Sequence, residues 1–490
     1  MVAAALLALF ALVYLWPVLV AGKVLSPNSV LFAFWPWHAA APANYTRTWN
    51  PILTDVPTAY YPWAVLARRL IHAGVFPAWN QYAYAGTPFY ANPQAALLSP
   101  FNLPLWVLSL NFGIALSTWF KLWLGGFGTY LLVRELKLGF WPGVLAGASF
   151  LLCAFNVVWL THETLPAVAA TFPWAVWMCE RVIRHRTLGD ALGLVVVAAV
   201  AIFAGQPEVA AQVLGGALLY LILRGLTLPG VAPRARLRAI GIGVGAFALG
   251  TLLAAVVLLP EARAGLGTPG AAARQNGDFT LPWLTLKNIA FPNWWPRLQL
   301  PQPEPYDYLE RSAYVGTAAT VLAAAALFTR SRWRQKLPFA VLAGLGIAIP
   351  FGVPGIRWIA NQVPGLGNTQ LPRLLLWFEL AVPVLAAFAL QALIEAPRRQ
   401  RVAWVAVGSA AALALVAVVT IDPSLHELRT ALNHFRTGRD YTEPKVVSLV
   451  SVAWWSIFTA AIAASLLLLR LRPRGSTVAA LIVLIAMLDL

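Results

Sequence analysis

The sequence predicts an all-α, polytopic integral membrane protein of about 12–13 transmembrane helices, with a large first loop carrying short interfacial helices on the extracytoplasmic side. Three observations carry that prediction. Of the 490 residues, 60% are hydrophobic and only 11% charged, whereas a soluble domain carries about 25% charged residues. The apolar residues come in runs of about 20, the length that crosses a hydrocarbon core of roughly 30 Å, and the mean hydropathy is +0.71. The basic residues stand in small knots between those runs.

The runs lie near 2–21, 104–133, 142–160, 165–180, 188–205, 207–223, 239–260, 313–329, 337–353, 374–394, 402–421, 446–469 and 477–488. The whole chain, 1–490, reads as a single transmembrane domain with no internal repeat. The first run lacks a basic leader and is followed by many further spans, so it reads as an uncleaved signal anchor. The last is only about 12 residues long, too short to cross a bilayer, and reads as a truncation or a shortened family member. Cys153 and Cys179 both fall inside apolar runs and read as packing residues.

The net charge of +17 could mark a nucleic-acid binder or a membrane topology, and its distribution decides. Threading the chain back and forth sorts the loops into two alternating sets. One set of short loops holds nineteen of the 35 basic residues, among them Arg134, Arg181, Arg184, Arg224, Arg234, Arg332, Arg398 and Arg472. By the positive-inside rule these loops and the N-terminus are cytoplasmic. Nucleic-acid binding then has nothing left to explain.

The extracytoplasmic loops are 22–103, 261–312, 354–373 and 422–445, with tight turns at His162-Glu163 and Gln206-Pro207-Glu208. The first holds a single acid, Asp55, among Trp35, Trp37, Trp49, Trp63 and Trp79. Pro62 opens a short helix and Gly74 closes it, with Leu66 and Leu70 on one side and Arg68, Arg69 and His72 on the other. That pattern suits a helix lying at the membrane surface. A lone carboxylate among aromatic and apolar groups has its pKa raised by desolvation, the setting in which it serves as a general base.

Asp55, Tyr60-Tyr61-Pro62-Trp63, the stretch Gly74 to Tyr82, Gly86-Thr87-Pro88-Phe89 and Asn92-Pro93-Gln94 through Ser99-Pro100 together resemble the first-loop signature of YfhO-type bacterial membrane proteins, which belong with the GT-C glycosyltransferases. Gly205-Gln206-Pro207-Glu208, Tyr314-Val315-Gly316 and Leu371-Pro372-Arg373 are further similar pieces. The turn at Gln206 and Glu208 departs from that pattern, where a His and a Gln are expected, and the family's extracytoplasmic C-terminal portion has no counterpart. The resemblance implies a GT-C-like bundle in a bacterial plasma membrane. It also implies a polyprenyl-phosphate sugar donor and a cell-envelope polymer or lipid as acceptor.

In such a reaction Asp55 is the candidate base. Arg373, at the outer end of the tenth run, is the first candidate to meet a lipid phosphate, followed by Lys287 and Arg357. Tyr60, Trp79, Asn80, Tyr82, Asn92, Gln94, His162, Glu163, Gln206 and Glu208 are candidates for holding the sugar or acceptor. No local His or carboxylate spacing marks a metal site or other cofactor, although a divalent cation shared by Asp55 with Glu163 or Glu208 stays open. The rival readings are a transporter or flippase of lipid-linked sugars and a structural scaffold. A transporter places ionisable groups at mid-membrane depth on discontinuous helices; here Lys121 and Glu379 are the main groups within spans.

Overall fold

The computed structural model describes residues 1–45, 51–265, 280–294, 308–363, 366, 369–395, 401–438, 443–468 and 475–490. The chain is a multi-pass helical membrane protein, with helix in all thirteen apolar runs and, among the described residues, only one two-stranded sheet. Among the described residues, six helices are long and apolar enough to cross a bilayer: Phe140–Val158, Pro207–Leu226, Pro233–Leu253, Leu371–Glu395, Ala403–Ile421 and Pro444–Leu468. Arg398 and Arg472, counted among the inner basic residues, lie outside the described residues.

The helices group into two compact units. The first comprises residues 1–128, 158–279 and 353–373, the second 129–157, 280–352 and 374–490.

In the first unit, the opening run breaks into helices Val2–Tyr14 and Trp16–Leu19, the second with Pro17 in its first turn, where its missing N–H costs nothing. Trp119 and Trp123, one turn apart on the helix Leu110–Glu135, donate their indole N–H groups to the carbonyls of Ala8 and Ala4, both at 3.0 Å. The first loop has a core of its own. Ala64, Leu66 and Ala67 of the helix Tyr61–His72 pack against Phe89, Ala95, Leu105, Trp106 and Ile114. Gly74 follows that helix at φ +71°, the left-handed turn in which glycine ends helices.

Arg68 and His72 do not face away from this core. Arg68 donates to the carbonyls of Leu105 and Trp106 at 2.7 and 3.2 Å, and His72 lies 2.7 Å from that of Trp106. These carbonyls belong to the last turn of the short helix Leu103–Val107, which has no following turn to satisfy them. Arg224, assigned by the sequence to an inner loop, folds back instead. It pairs with Glu180 at 3.1 Å, and Glu180 also accepts from Tyr220 and Arg184.

In the second unit the helix Leu375–Glu395 is the centre, packed against Phe140–Leu151, Thr317–Leu327 and Trp333–Ala348. The helix 140–158 is discontinuous, ending at Leu151 and resuming at Ala154. Glu379 occupies the break, with both carboxyl oxygens 3.1–3.2 Å from the amide of Phe155, and is fully buried. Replacing Glu379 by Ala strands that amide, and we expect a loss of about 1–3 kcal/mol. Glu379→Gln keeps an acceptor oxygen and is expected to retain most of the stability; thermal unfolding of the two variants in one detergent checks the difference.

A second buried carboxylate, Asp489 in the helix Gly475–Asp489, accepts from the amide of Thr317 and from the hydroxyl of Tyr314 at 2.7 Å and the indole of Trp454 at 3.1 Å. It thereby caps the first turn of Thr317–Leu327, whose own N-cap is Gly316 and has no side chain to offer.

Candidate functional site

The site is built within the first unit. Asp55 stands at the head of the wide, π-type helical turn Val56–Tyr60, which runs directly into Tyr61–His72. Its side chain makes no cap bond and, among the described residues, no ion pair or hydrogen bond. By surface area it is exposed, which corrects the expectation of a buried acid. The partial crowding around it is nevertheless enough to raise its carboxyl above the usual carboxylate range, through burial.

Tyr60, one turn further on, is buried and forms the hub. Its ring meets His162 edge-on at 5.5 Å and Trp63 at 5.6 Å, and the Thr164 side chain lies beside its hydroxyl. Burial is the main reason its phenol is pushed up to about 12, with the charges of Asp55, Arg373 and Glu163 all within reach of it. His162 in turn packs edge-on to Trp159 at 4.9 Å. The Arg373 guanidinium lies over the same Trp159 ring at 5.3 Å and pairs with Glu208 at 3.6 Å.

Glu208 also accepts from the amide of Gln370, and Gln212, one helical turn further along Pro207–Leu226, donates to Thr369 and to the carbonyl of Gln370. On the other flank, the Gln206 carbonyl oxygen accepts from Gln94 at 3.2 Å and from Thr164 at 3.5 Å. This join depends on Gly205 at φ +90°, where an added Cβ would stand 2.6 Å from both the Ala96 Cβ and the Pro93 carbonyl. Beside it Tyr90, Asn92, Ala96, Phe203 and Gly205 line a small cleft of about 10 Å³.

The structure thus gathers Asp55, Tyr60, Gln94, His162, Glu163, Gln206, Glu208 and Arg373 from four separate stretches of chain. Other candidates lie elsewhere. Trp79 and Asn80 form a strand paired antiparallel with Thr87–Pro88, and Trp79 and Tyr82 are 55% and 66% exposed. Asn80 and Asn92 turn their side-chain oxygens onto the local amides of Tyr82 and Gln94. Lys287 belongs to the second unit, its ammonium 4.5 Å above the Trp294 ring. Arg357 is in the first unit, with one guanidinium nitrogen buried and unbonded.

Trp159, Thr164, Gln212 and Gln370 were not anticipated. They contribute a ring face, a hydroxyl and amides, and nothing in their local sequence separates them from ordinary helix-end residues. Among the described residues no three His, Cys, Asp or Glu side chains converge as metal ligands.

No family model matches the sequence, and no curated protein matches it. Among solved structures, the chain is similar to ArnT from Cupriavidus metallidurans, in a crystal structure bound to undecaprenyl phosphate, with a TM-score of 0.45 and 13% sequence identity over 87% of this chain and 71% of that one.

Proposed function

We propose that the protein is a membrane glycosyltransferase of the GT-C type that moves a sugar from a polyprenyl-phosphate donor to a cell-envelope acceptor on the extracytoplasmic face. The observation that carries this reading is an Asp55 carboxyl with no partner among the described residues, beside a buried polar cluster that includes a half-buried arginine. The resemblance of the first loop supports it. In the reaction an acceptor hydroxyl oxygen attacks the anomeric carbon and passes its proton to Asp55. The bond from that carbon to the phosphate oxygen breaks, and its electron pair leaves with the lipid phosphate, whose charge requires a nearby cation. In this reading Tyr60, Gln94, His162, Gln206 and Glu208 orient sugar and acceptor.

Transfer of radiolabel from a polyprenyl-phosphate sugar to an envelope lipid extract, by the purified protein in reconstituted membranes, tests the reading. No labelled product with any common donor sugar would overturn it.

One observation favours a transporter of lipid-linked sugars instead: Glu379 sits at the break of a discontinuous helix. Movement of a labelled lipid-linked sugar between leaflets without product formation would decide for it.

The arrangement also requires Asp55 to face outward. Cysteines introduced at Arg274, which lies outside the described residues, and at Thr430 are therefore expected to react with an impermeant maleimide in intact cells, and cysteines at Ala235 and Arg334 only after lysis. Equal labelling of all four sites in sealed cells would reverse the map.

A further inference from the structure

Lys121 lies eleven residues into the helix Leu110–Glu135, is 2% exposed, and its ammonium has no hydrogen bond. An ammonium has three donors, and burying it without acceptors is among the least favourable arrangements a protein tolerates. The hydroxyls of the preceding turn do not help. Ser117 donates to the Phe101 carbonyl at 2.7 Å and Thr118 to the Ile114 carbonyl at 2.9 Å.

The charge that Lys121 senses is Glu163. No hydrogen bond closes between the two, and the Glu163 side chain does not cap the helix Thr164–Arg184 that follows it. Glu163 also acts on Tyr60, which in turn feels Asp55 and Arg373. Glu163 stands between His162, whose ring meets Tyr60 at 5.5 Å, and Thr164, whose hydroxyl donates to Gln206 at 3.5 Å, so it adjoins the residues gathered around Tyr60, with Lys121 buried behind it. Arg373, the cation the sequence singles out for a phosphate, is already paired with Glu208 and stacked on Trp159. Lys121 has no such partner.

We propose that Lys121 is the seat for a phosphate group in this site, and that Glu163 is a placeholder counter-charge which gives way when the phosphate arrives. The proposal rests on the glycosyltransferase reading for the source of that phosphate, the head of a polyprenyl phosphate. Glu163 is the partner to give way, since Lys121 sits in the body of a long helix whereas Glu163 stands in the turn before one. Burial also holds the Glu163 carboxyl above its usual range, which lowers the cost of losing its charge beside an incoming anion.

The test uses the full-length protein in phosphatidylcholine nanodiscs, titrated with tritiated polyprenyl phosphate, with the matching polyprenol as the uncharged probe and inorganic phosphate as competitor. Wild type is expected to prefer the phosphate to the alcohol. Lys121→Met is expected to weaken phosphate binding about tenfold to a hundredfold and to leave polyprenol binding unchanged, as removal of a charge-assisted contact predicts. Glu163→Gln, which removes the counter-charge and keeps the shape, is expected to tighten phosphate binding.

Undiminished phosphate binding by Lys121→Met overturns the proposal. Should that variant fail to fold, unchanged or weaker binding by Glu163→Gln overturns it in its place. If wild type transfers sugar while Lys121→Met binds donor normally, this inference alone falls. If wild type does not distinguish the phosphate from the alcohol, the proposed function falls with it. Full competition by inorganic phosphate at the concentration of the lipid would keep the seat but assign it to a soluble phosphate, overturning the lipid source.

Discussion

Asp55→Asn is expected to lower the rate of sugar transfer by roughly 10²–10⁴-fold, the span covered by positioned general bases, while expression and donor binding stay near wild type. Asparagine keeps the shape and one acceptor oxygen but cannot take the proton of the attacking hydroxyl. The loss therefore falls on turnover and not on affinity. A structural role would give the opposite pattern, lower yield with unchanged specific activity. That outcome is disfavoured by a side chain that makes no cap bond or ion pair.

The pH profile gives a second readout. Asp55 works only when ionised, and burial raises its pKa. Activity should therefore be full on the alkaline side and fall as pH drops through a value above the ordinary carboxylate range. Wild-type turnover in Asp55→Asn, normalised to folded protein, would remove this residue from the mechanism.

Gly205→Val is expected to cost about 2–5 kcal/mol, combining the left-handed backbone penalty with overpacking. The new Cβ would meet Ala96 Cβ and the Pro93 carbonyl at 2.6 Å and Thr164 at 3.0 Å, so the loop 93–96 must move off the turn that carries Gln206. The Gln94–Gln206 hydrogen bond is the first casualty, and transfer should fall even in molecules that remain folded. Gly230 supplies the control. It has a similar left-handed φ of +70° but nothing within 4 Å of an added Cβ, so Gly230→Ala carries backbone strain alone, roughly 1 kcal/mol. Equal melting temperatures for Gly205→Val and Gly230→Ala would show that the close approach at Gly205 does not matter.

The spans were legible because bilayer thickness imposes a length and a polarity that survive averaging over any window. The breaks were less so. Pro17 accounts for the interruption near Leu15, but the gap between Leu151 and Ala154 has no proline or glycine and depends on Glu379, 224 residues away from Phe155. In the first loop, composition drew attention to Asp55 and the resemblance to Tyr60, and the two lie one turn apart in the candidate site. The same signature also selected Trp79 and Tyr82, which serve a surface hairpin, because an aromatic residue in a loop carries no mark of which neighbour it will meet. The sequence sets Arg68 and His72 on the helix face opposite Leu66 and Leu70, and the partners that engage them, the carbonyls of Leu105 and Trp106, lie more than thirty residues away. Thr164 and Gln212 act through partners 42 to 158 residues distant, and no local pattern records such separations.

The capping of Thr317 by Asp489 has a consequence for the order of assembly. The two residues are 172 positions apart. At translation rates of about 5–20 residues per second, the helix Thr317–Leu327 must wait on the order of 10 to 30 seconds before the group that satisfies its first amide has been synthesised. During that interval its leading end is held by water, lipid headgroups or the insertion machinery. The helix Gly475–Asp489 then acts as a latch on a segment inserted long before it, so quality control that probes exposed helix ends would sense loss of this fifteen-residue helix as a defect near Tyr314.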